Sequence, residues 1–189
     1  MIPQKLLDLI DHAMAKSDGM VVLVGIDGDA AAGKTTLTKQ LAAHYNCPAI
    51  HMDHFFLPPD LRTEERLAEA GGNVDYQRFD EEVLQPLIGG KTFTYRPFDC
   101  AVGDFGQVIT VRSDGAGVVV VEGAYALHPR LAHAYHVKVF MAIKHEEQMK
   151  RIIARNGAEM AEKFRDIWIP MEKRYHATFG VKQSCHIAM

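Results

Sequence analysis

Met20-Val21-Val22-Leu23-Val24-Gly25-Ile26, followed at once by Gly28-Asp29-Ala30-Ala31-Ala32-Gly33-Lys34-Thr35, is the stretch on which the fold turns. The apolar run reads as a parallel strand covered on both faces. The second segment fits Gly-x4-Gly-Lys-Thr, and Thr35, Thr36, Leu37, Leu41 and Ala42 after it suit a helix. Strand, glycine-rich loop and helix is the setting in which main-chain N–H groups point inward and, with the helix N-terminus, cradle phosphate. The pattern predicts a nucleoside triphosphate held by Gly28, Asp29, Ala30, Ala31, Ala32, Gly33, Lys34, Thr35 and Thr36, with Lys34 on the outer phosphates and Thr35 on Mg²⁺. The plainer alternative is a tight turn beside a chance lysine.

Working outward, strands keep alternating with helical patterns. Leu6, Leu7, Ile10, Ala13 and Met14 predict an amphipathic helix over 3–16. Pro48-Ala49-Ile50-His51-Met52 predicts a second strand, Val118-Val119-Val120-Val121 a core strand, 137–143 another, and Cys185-His186-Ile187-Ala188 an edge strand. Helices are expected over 76–88, stopped by Gly89-Gly90, and over 145–156 and 158–174, parted near Gly157. The segments 93–98 and 108–112 read as a small hairpin turned by Gly103-Asp104-Phe105-Gly106. Between 55 and 73 the chain is irregular, a flap with one helical turn or two. The expected fold is a three-layer α/β/α P-loop NTPase with a parallel sheet of about five strands, a small β-hairpin and a helical lid. The chain reads as one domain over 1–189, with its acceptor-binding flap and hairpin at about 55–112 and its lid at about 150–165.

Bulk properties narrow the partners. The 189 residues are 48% hydrophobic and 24% charged with a net charge of −3, so no broad basic field draws a nucleic acid polymer or an anionic membrane. No apolar run is long enough to span a bilayer, and the N-terminus lacks the build of a signal peptide. Three well-separated cysteines, Cys47, Cys100 and Cys185, argue for reduced thiols rather than a disulfide framework or a zinc site. Together these predict a cytoplasmic protein. Ten histidines show no metal-ligand spacing and read as surface or loop residues.

Phosphoryl transfer needs a metal, positive charge and a group that orients the attacking oxygen. Glu122, directly after four valines, stands where a carboxylate would hold Mg²⁺, although a solvent-facing glutamate would look the same. Asp53, at the exit of the second strand, is the candidate base; its plainer role is to cap a turn. Arg151 and Arg155, four apart on one helix, suit closure over ATP, or else form a solvated basic face.

Taken together, Asp53-His54-Phe55-Phe56, Asn73-Val74-Asp75, Tyr95-Arg96-Pro97-Phe98-Asp99, Glu122-Gly123 and the stretch from Lys150 to Arg155 follow the phosphate loop in an order and spacing that resembles the uridine kinase family of P-loop kinases, from about Val21 to Ile187. The resemblance implies ATP, Mg²⁺ and a small-molecule acceptor. It implies that Asp53 is the base and that Asp75 meets the ribose hydroxyls. It further implies that Phe56, Tyr95, Arg96, Phe98 and Asp99 line the acceptor site, that Arg151 and Arg155 belong to the lid, and that homo-oligomers are common. The chain departs from the family in four ways, one being a lid with fewer arginines. Alanines replace the serines of the phosphate loop, Phe98 replaces a tyrosine, and no histidine follows Asp99 before Glu122. The leading expectation is an ATP-dependent kinase of a small metabolite hydroxyl, most of all a nucleoside. Arg62 and Arg96 keep open a phosphorylated acceptor, such as a nucleoside monophosphate, sugar phosphate or coenzyme precursor. A non-kinase nucleotide switch is the other alternative; it would want an Asn-Lys-x-Asp guanine reader, which the chain lacks.

Overall fold

In the computed structural model, residues 1–113 and 115–189 are described. The strands are Val22–Gly28 (β1), Ala49–His51 (β2), Phe93–Tyr95 (β3), Phe98–Asp99 (β4), Asp104–Phe105 (β5), Ile109–Val111 (β6), Val118–Glu122 (β7), Val137–Met141 (β8) and Ile187–Ala188 (β9). Five of them form one sheet in the order β2-β7-β1-β8-β9, with every pairing parallel. The chain leaves β1 for β2 on one side of it and later crosses from β7 to β8 on the other side. The carboxyl end of β1 therefore opens the crevice where ligands of such sheets bind.

Side chains alternate across this sheet with a period of two. Val22, Val24 and Ile26 of β1 and Val118 and Val120 of β7 face Leu6, Ile10, Leu37 and Leu41, from the helices Gln4–Ala15 and Lys34–Tyr45. Leu23, Val119 and Val121 face the opposite layer with Ile50, Phe55, Phe79, Leu84 and Tyr175. All seven residues of β1 and all five of β7 are buried, as central strands covered on both faces must be. The helical stretch over 76–88 runs through a π turn at Asp80–Leu84, and the one from Ala158 to Phe179 through another at Phe164–Trp168. The irregular flap holds one short α-helix, Glu64–Ala68, and a 3-10 turn, Pro59–Leu61.

The hairpin proves to be two nested ribbons, β3 with β6 and β4 with β5. Its turn lies over 100–103 instead of 103–106. Asp99 Oδ1 accepts the Ala101 N–H at 2.8 Å and Gly103 N–H closes on Asp99 O at 2.7 Å, an Asx turn that leaves Asp104 and Phe105 as strand. The histidine expectation also needs correction. His128 is buried between Tyr76 and Tyr175, and burial pushes its pKa down to about 4, so the ring is neutral.

One polar group lies in the sheet itself. Asp27, fully buried near the end of β1, accepts N–H groups from Gly28 at 2.7 Å and Leu127 at 2.9 Å and the Tyr175 hydroxyl at 2.8 Å. Burial alone would raise its pKa. His176, the Leu127 N–H and the Lys34 charge together outweigh that and hold it below the usual carboxylate value. A folded-state pKa below the unfolded one gives stability that is present above the ordinary carboxylate range and lost as pH falls through the folded value. Asp27→Asn turns an amide NH₂ toward these donors and is expected to cost about 1–3 kcal/mol. The denaturant midpoint should fall at neutral pH, and the gap to the parent should close in acid.

Candidate active site

The loop after β1 has a shape that its residues dictate. Gly28 has φ +133°, and a Cβ there would lie 2.0 Å from the Met141 carbonyl oxygen, so no side chain is tolerated. Ala31 adopts φ +60°, a left-handed conformation strained for a residue with a Cβ. The helix Lys34–Tyr45 starts at Gly33 with no side-chain cap, so its first-turn N–H groups are left for the hollow of the loop. Lys34 Nζ donates across that hollow to Gly28 O at 2.7 Å and Asp29 O at 3.0 Å. Two of the three alanines, Ala30 and Ala31, have a packing reason. Ala30 is buried in an apolar cluster with Ile152, Ala161 and Ile169, and Ala31, Met149 and Phe164 pack around it. Serine hydroxyls at those positions would be pressed against hydrocarbon.

Beside the loop, Thr35 Oγ1 donates to Glu122 Oε1 at 3.1 Å, and His51 Nδ1 meets the same oxygen at 2.6 Å. Glu122 is buried at the end of β7, which rules out the solvent-facing alternative. The hydrogen bond to Glu122 raises the His51 pKa against the opposing effect of burial. His51 thus belongs to the site, whereas its sequence setting suggested a loop residue. Asp53 follows in the turn Met52–Phe55. The residue is exposed at the surface, but the protein packed around its carboxyl strips part of its hydration. This loss of hydration, then the charge of Glu122, raises its pKa against Lys34, His51 and Arg155. Gly123, at φ +143°, backs the aspartate: a Cβ there would come 2.8 Å from Met52 Cβ and 3.2 Å from Asp53 Oδ1. His54, its pKa lowered by burial, receives the Tyr95 hydroxyl at 3.0 Å; burial pushes that phenol up to about 12, so it is the donor.

The remaining expected residues are spread around this centre. Asp75 caps the next helix by accepting Arg78 N–H at 3.0 Å, and its own N–H bonds Phe55 O, which ties it to the Asp53 turn. Phe56 is half-buried and its backbone bridges Val74. Phe98 is buried against Phe105. Asp99 is exposed and makes the Asx turn. Arg96 is spent on the carbonyls of Phe105 and Gly106, at 3.0 and 3.1 Å, and Arg62 on that of Leu57 at 2.7 Å. In the helix His145–Asn156, Arg151 pairs with Glu147 and reaches Ala31 O at 3.3 Å. Arg155 bonds Asn156, lies over the Phe164 ring and is near enough to Asp53 to lower its pKa. Two residues with no sequence signal, Gln148 and Glu172, also touch the loop.

Thr35 and Glu122 would hold Mg²⁺, since both supply the hard oxygen donors it takes. Positive charge, a carboxylate base and a loop of convergent donors are what phosphoryl transfer demands.

No family model matches the chain. Among curated proteins, uridine-cytidine kinase C of Dictyostelium discoideum is 27% identical over 178 residues, covering 89% of this chain and 38% of that protein. The uridine kinase of Anoxybacillus flavithermus is 31% identical over 132 residues, 64% of this chain and 60% of its own length. The chain thus spans less than two thirds of either relative. Among solved structures, D-glycerate 3-kinase of Cryptococcus neoformans superposes with a TM-score of 0.64 over 89% of this chain and 86% of that one, at 16% identity. This last likeness concerns the fold alone. The sheet order and the two sequence alignments agree: the chain has the P-loop kinase fold and is similar in sequence to uridine kinases.

Proposed function

We propose that the chain transfers the γ-phosphoryl group of ATP to a hydroxyl of a small metabolite, a nucleoside such as uridine or cytidine. The observation that carries this reading is the meeting of Lys34, Thr35, Glu122 and Asp53 at the carboxyl ends of β1, β2 and β7. The N–H groups of Gly28, Asp29, Ala30 and Ala32 are already bonded within the protein. The loop and helix-start N–H groups that remain, with Lys34 released from its two carbonyl partners, hold the triphosphate tail. Thr35 and Glu122 hold Mg²⁺, which when bound offsets charge on the phosphate oxygens. Asp53 accepts the proton of the acceptor hydroxyl as the new bond to phosphorus forms. Arg151 and Arg155 supply charge from the lid side. Asp75, Phe56, Tyr95, Phe98 and Asp99 shape the acceptor wall.

A phosphorylated acceptor is the weaker reading, because Arg62 and Arg96 already bond main-chain carbonyls. A nucleotide switch would have no use for Asp53. ATP consumption measured against nucleosides, nucleoside monophosphates, sugars and sugar phosphates tests the proposal. Consumption should depend on uridine or cytidine; equal hydrolysis with and without every acceptor would favour the switch. No helix among the described residues is long and apolar enough to cross a membrane.

A further inference from the structure

The phosphate loop is gripped from outside as well as from within. Ala30 N–H donates to Glu172 Oε2 at 3.0 Å, and Ala30 O accepts Gln148 Nε2 at 3.1 Å. Glu172, on the helix Ile169–Phe179, is 7% exposed, and Gln148 is 3% exposed. These two side chains fix both ends of the residue that precedes the strained Ala31. Facing Glu172 are Lys34 from the loop helix, His176 from its own helix, Asp27 from β1 and Tyr125 from the segment after β7. Lys34, the Ala30 N–H and His176 favour the ionised form. Burial outweighs them and, with Asp27, pushes the Glu172 pKa up to about 7.

Resting on the triphosphate reading above, we propose that Glu172 is a positioning residue of the phosphate loop that holds the Ala30 peptide in place and takes up one proton from solvent when the nucleotide binds. Without an acceptor, the buried Ala30 N–H would be orphaned. The nucleotide tail brings several negative charges to a water-poor corner that already holds a carboxylate, and like charges there favour the protonated acid. A protonated carboxyl keeps its carbonyl oxygen as an acceptor, so neutralisation leaves the Ala30 bond in place. The proton returns to solvent when the nucleotide leaves.

Calorimetric titration with MgATP from pH 6 to 8.5, in buffers of different ionisation heat, tests this on the parent, Glu172→Gln and Glu172→Ala. Parent affinity should fall about tenfold between pH 6 and 8, with proton uptake seen in the buffer dependence of the heat. Glu172→Gln keeps an acceptor oxygen without the charge. It should bind at pH 8 at least as tightly as the parent, with a flat pH profile and no uptake at this site. Glu172→Ala should bind about tenfold more weakly across the range. Equal pH slopes and equal uptake in the parent and Glu172→Gln would overturn the inference while leaving the phosphate site intact, and neither measurement relies on the alanine variant folding. A parent that fails to bind MgATP would overturn the reading of the loop itself, and this inference with it.

Discussion

Asp53→Asn is expected to lower acceptor-dependent turnover about 10²–10⁴-fold while MgATP affinity barely changes. The carboxyl sits where lost hydration and the neighbouring Glu122 raise its proton affinity, which makes it a better base than an isolated aspartate. Asparagine preserves size, so the close packing of Met52, Asp53 and Gly123 survives. What disappears is the ability to take a proton. The pH–rate profile of the parent should show an acid limb above the ordinary aspartate range, where protonation of Asp53 removes the base. The variant should lack that limb. Steady-state turnover together with separately measured MgATP binding decides the matter. A variant that retained turnover within a few-fold of the parent would leave Asp53 as a turn residue only.

Lys34→Ala is expected to lower kcat/KM by about 10²–10³-fold, with nucleotide affinity falling as well. Unlike Asp53, Lys34 acts on the phosphates in both the bound and the reacting state, so binding and rate should move together. Its charge also lowers the proton affinity of Asp27, Asp53 and Glu172. Whatever activity remains in the variant should therefore show its acid limb shifted to higher pH. Lys34→Arg should rescue poorly, because a flat, forked guanidinium cannot replace a point charge that must swing between Gly28 O and a phosphate oxygen. Unchanged nucleotide affinity in Lys34→Ala would remove the lysine from this role.

Much of the fold was legible because its signals are local. The buried run before Gly28 and the four valines at 118–121 can be little but central strands, and Gly89-Gly90 ends a helix wherever it occurs. Glu122 and Thr35 were within reach of the same reasoning, since strand exits and helix starts lie on one edge of a parallel sheet. Glu172 was not. It is separated from Ala30 by 142 residues, and a glutamate in a helix with charged neighbours looks solvated until the chain is folded. The role of His51 has no local signal, because nothing in its neighbourhood shows that Glu122, far along the chain, ends on the adjacent strand. The hairpin turn falls over 100–103 because the Asp99 side chain closes it, and an aspartate beside Phe98 carries no local sign of that role.

The hydrocarbon seam joining Ala30 to Ile152, Ala161 and Ile169 bears on how the proposed activity would respond to temperature. Pulling the 145–156 helix off the loop would wet those methyl groups, so the step carries a positive heat-capacity change. The grip therefore loosens on cooling, and product escape, if it requires that parting, should lose less speed in the cold than the chemical step does.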